Sequence, residues 1–312
     1  MTTVLVATRD GCRVFSETGQ AGLELAGGPV QCLATAGIRS ALAIVRGTQV
    51  WVRQSPASGT ALGPATWQLI ADTGRPLQSL TCHREGIFAG GGDEPFLLRV
   101  STSGATVRME GFDEVPGREQ WFAQGPPLGV RAMTSTCDDS VLLATVHVGG
   151  LPRSVDGGKT WEPTVPVMWD VHEACAHPNR PEVIACAAAV GLLTSLDGGA
   201  TWQVITEGGM NPPHSLAVAM LPDEALFSIQ EGPFAKQAQI WRWHIGDRKA
   251  EQVRDGLPEW LEGRIDTHHI AANAERAALV DGAGNVWLSS EGSKGWQVIA
   301  RNLRYTQAVL VL

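Results

Sequence analysis

Aromatic residues are scarce in this chain of 312 residues, at 6% of positions with a single tyrosine, Tyr305. No apolar run reaches the about 18 residues that a membrane-crossing helix needs, which excludes a helical membrane protein. Basic residues are outnumbered, 24 Lys and Arg against 32 Asp and Glu, and they form no cluster. Nucleic acid and an anionic membrane surface are therefore excluded as partners. The six cysteines, Cys12, Cys32, Cys82, Cys137, Cys175 and Cys186, show no Cys-x-x-Cys spacing. Most sit among small apolar residues and read as free thiols acting as small hydrophobes, not as a disulfide or metal set. Long 3.6-residue periodicity is missing too, which argues against helical architectures. The apolar stretch within Met1–Thr8 is short and ends at Arg9-Asp10-Gly11, as a turn would, so it is not a targeting segment. Reduced thiols and no leader make a cytoplasmic protein the expectation.

What the chain has is glycine, 36 residues of it, between short alternating or β-branched runs such as Val4–Ala7, Ser140–Val146 and Glu182–Ala188. These are the marks of many short strands joined by tight turns. No Pro/Ser-rich linker or charge block divides them, so residues 1–312 read as one domain. One phrase occurs twice, Ser-Val-Asp-Gly-Gly-Lys-Thr-Trp at Ser154–Trp161 and Ser-Leu-Asp-Gly-Gly-Ala-Thr-Trp at Ser195–Trp202. An aspartate carboxylate can accept backbone N–H groups two residues on, and glycine supplies positive φ at low cost. The indole that follows anchors the next strand. The phrase is thus a hairpin corner, and its residues Ser154, Asp156, Gly158, Thr160, Trp161, Ser195, Asp197, Gly199, Thr201 and Trp202 have structural roles. Weaker copies end at Trp67, in Pro64-Ala65-Thr66-Trp67, and at Trp296, in Ser289–Trp296. The four tryptophans lie 94, 41 and 94 residues apart. A unit of about 47 residues therefore recurs, with degenerate units near Leu97–Phe112 and Ile240–Val253.

The phrase resembles the Asp-box, or BNR, repeat, Ser-x-Asp-x-Gly-x-Thr-Trp, which two copies match at every fixed position. The copy at Ser289 departs from it, with Glu291, Ser293 and Gly295 at the Asp, Gly and Thr positions. Proteins with this repeat are β-propellers: sialidases, sortilin-type receptors, photosystem assembly factors and many bacterial proteins. The resemblance implies an all-β fold in which the box joins the third and fourth strands of a blade.

Laying four antiparallel strands per blade onto the chain gives seven inner strands. They lie at Gln31–Thr35, Leu77–His83, Val130–Cys137, Val171–His177, His214–Met220, Thr267–Asn273 and Leu303–Leu312. The last is completed by N-terminal outer strands at Thr3–Ala7, Cys12–Phe15 and Gly22–Leu25. The expectation is a seven-bladed propeller closed by its own termini, which leaves no open sheet edge.

In propellers, ligands meet the face that carries the starts of the inner strands and the ends of the second strands. Five of the eight histidines fall at that level: His147, His172, His214, His268 and His269. Neighbouring imidazoles there are close enough to share one divalent ion (Zn, Mn, Fe or Mg), with His147, His172, His214 and His268 as ligands. Without a metal, a histidine serves as acid or base near neutral pH. The catalytic candidates are His172, His268, Asp170 and Asp266, and Trp169, Glu231, His269 and Tyr305 are candidates for holding a ligand. The long connection Asp113–Leu128 carries Trp121 and is placed to lie over the mouth.

Three functions stay open. One is a small-molecule hydrolase or lyase taking a small polar substrate at the channel mouth, and one is a scaffold that binds a protein. The third is a glycosidase. The resemblance to sialidases calls for three arginines, a tyrosine nucleophile with a glutamate, and a Phe/Tyr-Arg-Ile-Pro motif. The chain offers only Tyr305 beside Arg304, and Gly37-Ile38-Arg39-Ser40 does not substitute for the motif. A different glycosidase, using Asp170 and Asp266, is the variant of this reading that the carboxylate separation decides.

Overall fold

The computed structural model describes residues 2–19, 21–37, 40–54, 65–122 and 128–312. Ile38, Arg39 and Pro64 lie outside them, as do residues 123–127 of the long connection. Seven antiparallel sheets of four strands form a propeller, with a short fifth strand, Leu261–Glu262, on one of them. Blade 1 is the closing blade, in which the C-terminal strand Thr306–Val311 is innermost and Thr3–Thr8, Gly11–Ser16 and Ala21–Glu24 follow outward. Blades 2 to 7 have inner strands at Val30–Thr35, Leu77–His83, Val130–Ser135, Val171–Ala176, Val218–Met220 and Ile270–Ala272.

The inner strands of blades 6 and 7 are shorter than the sequence suggests, because the ladder fails at their entry. In blade 6 the amides of Leu216 and Ala217 bond to the Ser228 hydroxyl instead of to a backbone carbonyl. Pro212 and Pro213 just upstream carry no N–H to contribute. In blade 7, His268 has φ of 65°, a left-handed conformation that breaks strand geometry. His214, His268 and His269 therefore lie before their inner strands, not in them.

The apolar core is divided into seven wedges, one between each pair of neighbouring blades. Val183, Ala185, Phe227 and Trp243 fill the space between blades 5 and 6. Val4, Val6, Val286 and Val309 fill the one between blades 7 and 1. A strand buried on both faces reads as a continuous apolar run, and the second strands Ala41–Val45, Leu142–Val146 and Ile184–Ala188 are buried throughout.

Both full copies of the phrase form the same corner between a third and a fourth strand. Ser154 Oγ donates to Asp156 Oδ1, which also accepts the amides of Lys159 and Thr160, while the Thr160 hydroxyl donates to Oδ2. Asp197 repeats this with Ser195, Ala200 and Thr201. Gly157 and Gly158 both have positive φ, 72° and 84°, so the Gly-Gly pair is a backbone requirement. The Trp161 indole donates to Gly158 O, and Trp296 makes the equivalent bond to Ser293 O at the divergent copy. All six cysteines are free, and Cys137 departs from the expected inner strand into an exposed turn. No helix among the described residues is long and apolar enough to cross a membrane.

A buried carboxylate ties blades 5, 6 and 7 at the axis. Glu173 accepts the amide of Val218 and the amide of His268, and its Oε1 lies 2.9 Å from His268 Nδ1. The other ring nitrogen of His268, Nε2, faces the carbonyl of Arg131 in blade 4 at 3.1 Å. Burial disfavours charge on this imidazole, but Glu173 outweighs burial and the His268 pKa is raised. Two acceptors facing two ring nitrogens favour the doubly protonated ring.

Removing the strand after Tyr305 is expected to abolish cooperative unfolding. Val309, Leu310 and Val311 are buried. At roughly 1.5–3 kcal/mol each they total about 5–9 kcal/mol, the order of a whole domain's stability. A truncated protein that still melts in one sharp transition near the parent temperature would contradict the closure. The axial pair has a pH signature. Because the folded pKa of His268 is raised, its stabilisation is complete below about pH 6.5, the unfolded value, and is lost as pH rises through the folded pKa. Glu173→Gln is expected to lower stability by about 3 kcal/mol at pH 6. The gap to the parent should narrow toward pH 9, as followed by denaturant melts.

Candidate functional site

In five blades the second residue of the inner strand is extra, with no partner on the neighbouring strand. Pairing steps from Val30 to Cys32, Leu77 to Ser79, Val130 to Ala132, Val171 to Glu173 and Thr306 to Ala308. The residues left out of register are Gln31, Gln78, Arg131, His172 and Gln307. A bulge of this kind re-aims one side chain, and here it does so at one level of the ring. In blades 2, 3 and 4 the inner strand starts apolar–polar–small, Val30-Gln31-Cys32, Leu77-Gln78-Ser79 and Val130-Arg131-Ala132, and this is the signal in the chain that points to Arg131.

Arg131 reaches from blade 4 to the far side of the ring. Its Nη2 donates to Asp266 Oδ1 at 3.1 Å and to the Thr267 hydroxyl at 3.0 Å in blade 7. Asp266 also pairs with Arg264 at 2.9 Å. Burial raises the Asp266 pKa, but Arg131 and Arg264 outweigh it and the net shift is downward. Both carboxylate oxygens of Asp266 are thus occupied by arginines, and both ring nitrogens of His268 by Glu173 and Arg131.

His147, His172 and His214 gather around Asp170, which sits between a short 3-10 turn, Val167–Trp169, and the inner strand of blade 5. His172 Nε2 lies 3.5 Å from Asp170 Oδ2, and His147 Nε2 lies 3.9 Å from Oδ1. The ring of His214 is 5.2 Å from that of His172, centroid to centroid. His172 Nδ1 faces the Ser215 carbonyl at 2.7 Å. That nitrogen is therefore the donor, and Nε2 is the one turned to Asp170. Burial pushes the Asp170 pKa up, but His172, His147 and Arg131 outweigh it and the carboxylate is favoured. Burial, reinforced by Arg131, lowers His147. Burial, with His172 adding to it, lowers His214 to about 4. Burial also lowers His269.

The backbone at this end is strained. Val148, Asp170, His268 and Tyr305 all have left-handed φ, between 46° and 65°. For β-branched Val148, next to His147, this is a true outlier. Six buried side-chain atoms here have no hydrogen-bond partner among the described residues: Arg131 Nε, His147 Nδ1, Asp170 Oδ1, His214 Nε2, Ser215 Oγ and His269 Nδ1. Only one other such atom, Arg180 Nε, occurs among the described residues. Buried polar groups are nearly always bonded, so their concentration at one place marks a site.

The structure bears on three of the expectations. Among the described residues no group of three or more His, Cys, Asp or Glu is arranged to hold a metal ion. His268 has no nitrogen to offer a metal alongside His147, His172 and His214, because Glu173 and Arg131 take both. Of the five histidines at this level, His268 alone is among the residues lining an axial cavity of about 970 Å³, which runs from Glu173 and His268 to Cys137, Pro178 and Glu275 at the opposite end. Finally, Tyr305 is 60% exposed with its ring under the Arg9 guanidinium, 4.2 Å from the centroid. A tyrosine stacked on arginine is not the tyrosine–glutamate pair of a sialidase.

The remaining candidates are spread out. Trp169 is half-buried against the wedge between blades 4 and 5. Glu231 is exposed after the second strand of blade 6. Trp121 packs on Phe112, and neighbouring Phe122 donates its amide to Val148 O, so that part of the long connection leans on blade 4 beside His147.

No family model matches the sequence, and neither does any curated relative. Similar solved structures are numerous, and several of them are distant in sequence. A putative 6-phosphogluconolactonase from Bacteroides uniformis superposes with a TM-score of 0.67 at 12% identity, covering 100% of this chain and 99% of that one. An ancestral GH74 enzyme gives 0.62 at 11% identity, covering 92% of this chain, which spans only 38% of that enzyme's length. The WD40 propeller domain of Doa1 gives 0.54 at 11%, covering 84% of this chain and 78% of that one. At these identities the likeness establishes the β-propeller fold alone.

Proposed function

We propose that the protein is a hydrolase acting on a small polar ester or lactone at the Asp170–His172 end of the ring. The observation that carries this reading is the convergence of His147 Nε2 and His172 Nε2 on the Asp170 carboxylate. The Ser215 carbonyl takes Nδ1 of His172 and leaves Nε2 as the nitrogen for proton transfer. A water bound there transfers a proton to Nε2 as its oxygen bonds to the substrate carbonyl carbon. The imidazolium so formed lies against Asp170, which stabilises it, and it returns the proton to the leaving oxygen. Arg131 is the cation within reach of the negative charge that develops on the carbonyl oxygen. Asp266 and His268 act here as positioning residues, holding Arg131 and the blade 4–7 contacts. The same chemistry at a C–H bond gives a lyase, the nearest variant. The fold shared with a putative 6-phosphogluconolactonase is compatible with a lactone substrate. The phrase at Ser154 and Ser195 is read as an Asp-box repeat, a structural unit away from the site.

The glycosidase reading loses support from the electrostatics. Such an enzyme needs one carboxylic acid with a raised pKa, whereas both Asp170 and Asp266 are shifted downward. A protein-binding scaffold keeps one observation in its favour. Phe234, 83% exposed, and Met168, 72% exposed, stand on loops of the same end.

A panel of water-soluble lactones and aryl esters tests the proposal. His172→Ala is expected to lower kcat by about 10²–10⁴-fold on any substrate found, with His244→Ala, at an exposed position elsewhere, as the unaffected control. Equal turnover by the His172 variant, or turnover that vanishes equally in both, would sink the assignment. If a pull-down partner is lost on Phe234→Ser while no ester is cleaved, the scaffold reading replaces it.

A further inference from the structure

The unpartnered atoms at this site are unequal in kind. Arg131 Nε–H can only donate. The Ser215 hydroxyl, 0% exposed, has a proton to donate. His147 Nδ1, His214 Nε2 and His269 Nδ1 can each donate in one tautomer, and Asp170 Oδ1 can only accept. A ligand that satisfies this set must bring several acceptor oxygens and at least one donor. A neutral apolar ligand would leave every one of these atoms bare, at the full penalty for each.

The fixed charges balance. Arg131 and Arg264 carry two positive charges, and Asp266, which lies between them, and Asp170 carry two negative ones. Asp170, 28% exposed on its side chain, faces two imidazoles. The Glu173–His268 pair is internally balanced. Arg131 donates through Nη2 to both Asp266 and Thr267, and its Nε–H has no partner among the described residues. A guanidinium N–H makes a charge-assisted bond to a carboxylate or phosphate oxygen.

From this geometry we infer that the substrate carries an oxyanion group, carboxylate or phosphate, seated on the Nε–H of Arg131, with a neighbouring hydroxyl donating to Asp170 Oδ1. This deepens the proposed function and rests on it for the identity of the site, but it concerns binding, not turnover. Ser215 and His147 complete the oxyanion's partners, and both are more than nine-tenths buried. The Gln31 and Gln78 bulges extend the same level around the ring on the side of blades 2 and 3. A hydroxylated chain of a few carbons would extend along them.

Binding of three small probes to the full chain, followed by NMR of the histidine ring protons, tests this. The probes are D-glycerate, glycerol 3-phosphate and glycerol. One of the two anions is expected to bind at least about 10-fold more tightly than glycerol, the size of one charge-assisted bond, and which one it is names the oxyanion. Arg131→Gln should erase that preference. Arg131→Lys, which keeps the charge and the tie to Asp266 but lacks Nε, should reduce it and guards against a folding defect in the first variant. Asp170→Asn should weaken the preferred anion while leaving a matched probe without the hydroxyl, propionate or ethyl phosphate, unchanged. Glycerol binding as tightly as both anions, or an anion preference that survives both Arg131 variants, overturns the inference. The His172→Ala protein separates the two claims. Preference retained there without any ester turnover in the parent would leave the oxyanion site standing and remove the hydrolase.

Discussion

One buried carboxylate organises the functional end of the ring. Glu173 gathers N–H groups from blades 6 and 7, and through His268 it is joined to the backbone of Arg131 in blade 4. A charge in that position is tolerable only when its partners are in place, so the four blades on this side of the axis are held in one relative arrangement. Arg131 and His172, each one residue from the strand pairing, inherit their positions from it. The same pair lines one end of the axial cavity.

The bulges explain how a repetitive scaffold produces an asymmetric site. Every blade uses the same four-stranded pairing, yet the side chain expelled from register differs: glutamine in blades 1, 2 and 3, arginine in blade 4, histidine in blade 5. In blades 6 and 7 the regular ladder begins later, and irregular backbone carries Ser215, His268 and His269 to the same end. Left-handed residues concentrate there as well, including Val148, which has no intrinsic tolerance for that conformation. Strain of this kind persists only where surrounding structure enforces it. The unpartnered donors around Asp170 belong to the same pattern, since an apolar substitution at any of them would be the cheaper choice for folding alone.

Much of the architecture was legible from residue order. The duplicated phrase, the spacing of Trp67, Trp161, Trp202 and Trp296 and the apolar ends of the chain lead to seven blades closed by Thr306–Val311, because strand alternation and turn chemistry act over a few residues. Five of the histidines and Asp170 were legible as a level for the same reason. What residue order concealed was direction. His268 looked equivalent to His172, but its left-handed backbone turns it to Glu173. Asp266 looked like a partner for an imidazole, but it lies between Arg131 and Arg264. Arg131 and Glu173 themselves drew no notice, since one charged residue at a strand start is ordinary until a bulge points it across an axis.

The amino-acid sequence by itself determined the repeat, the strand count, the Asp-Gly-Gly corners and the way the ring closes, all products of local hydrogen bonding and hydrophobic alternation. Only the tertiary structure decided which polar groups meet. Arg131 and Asp266 are 135 residues apart and touch because blades 4 and 7 face each other over the axis. Whether an imidazole finds a carboxylate, an arginine or another imidazole depends on a one-residue slip in register and on the angle between blades, and no short-range rule encodes either.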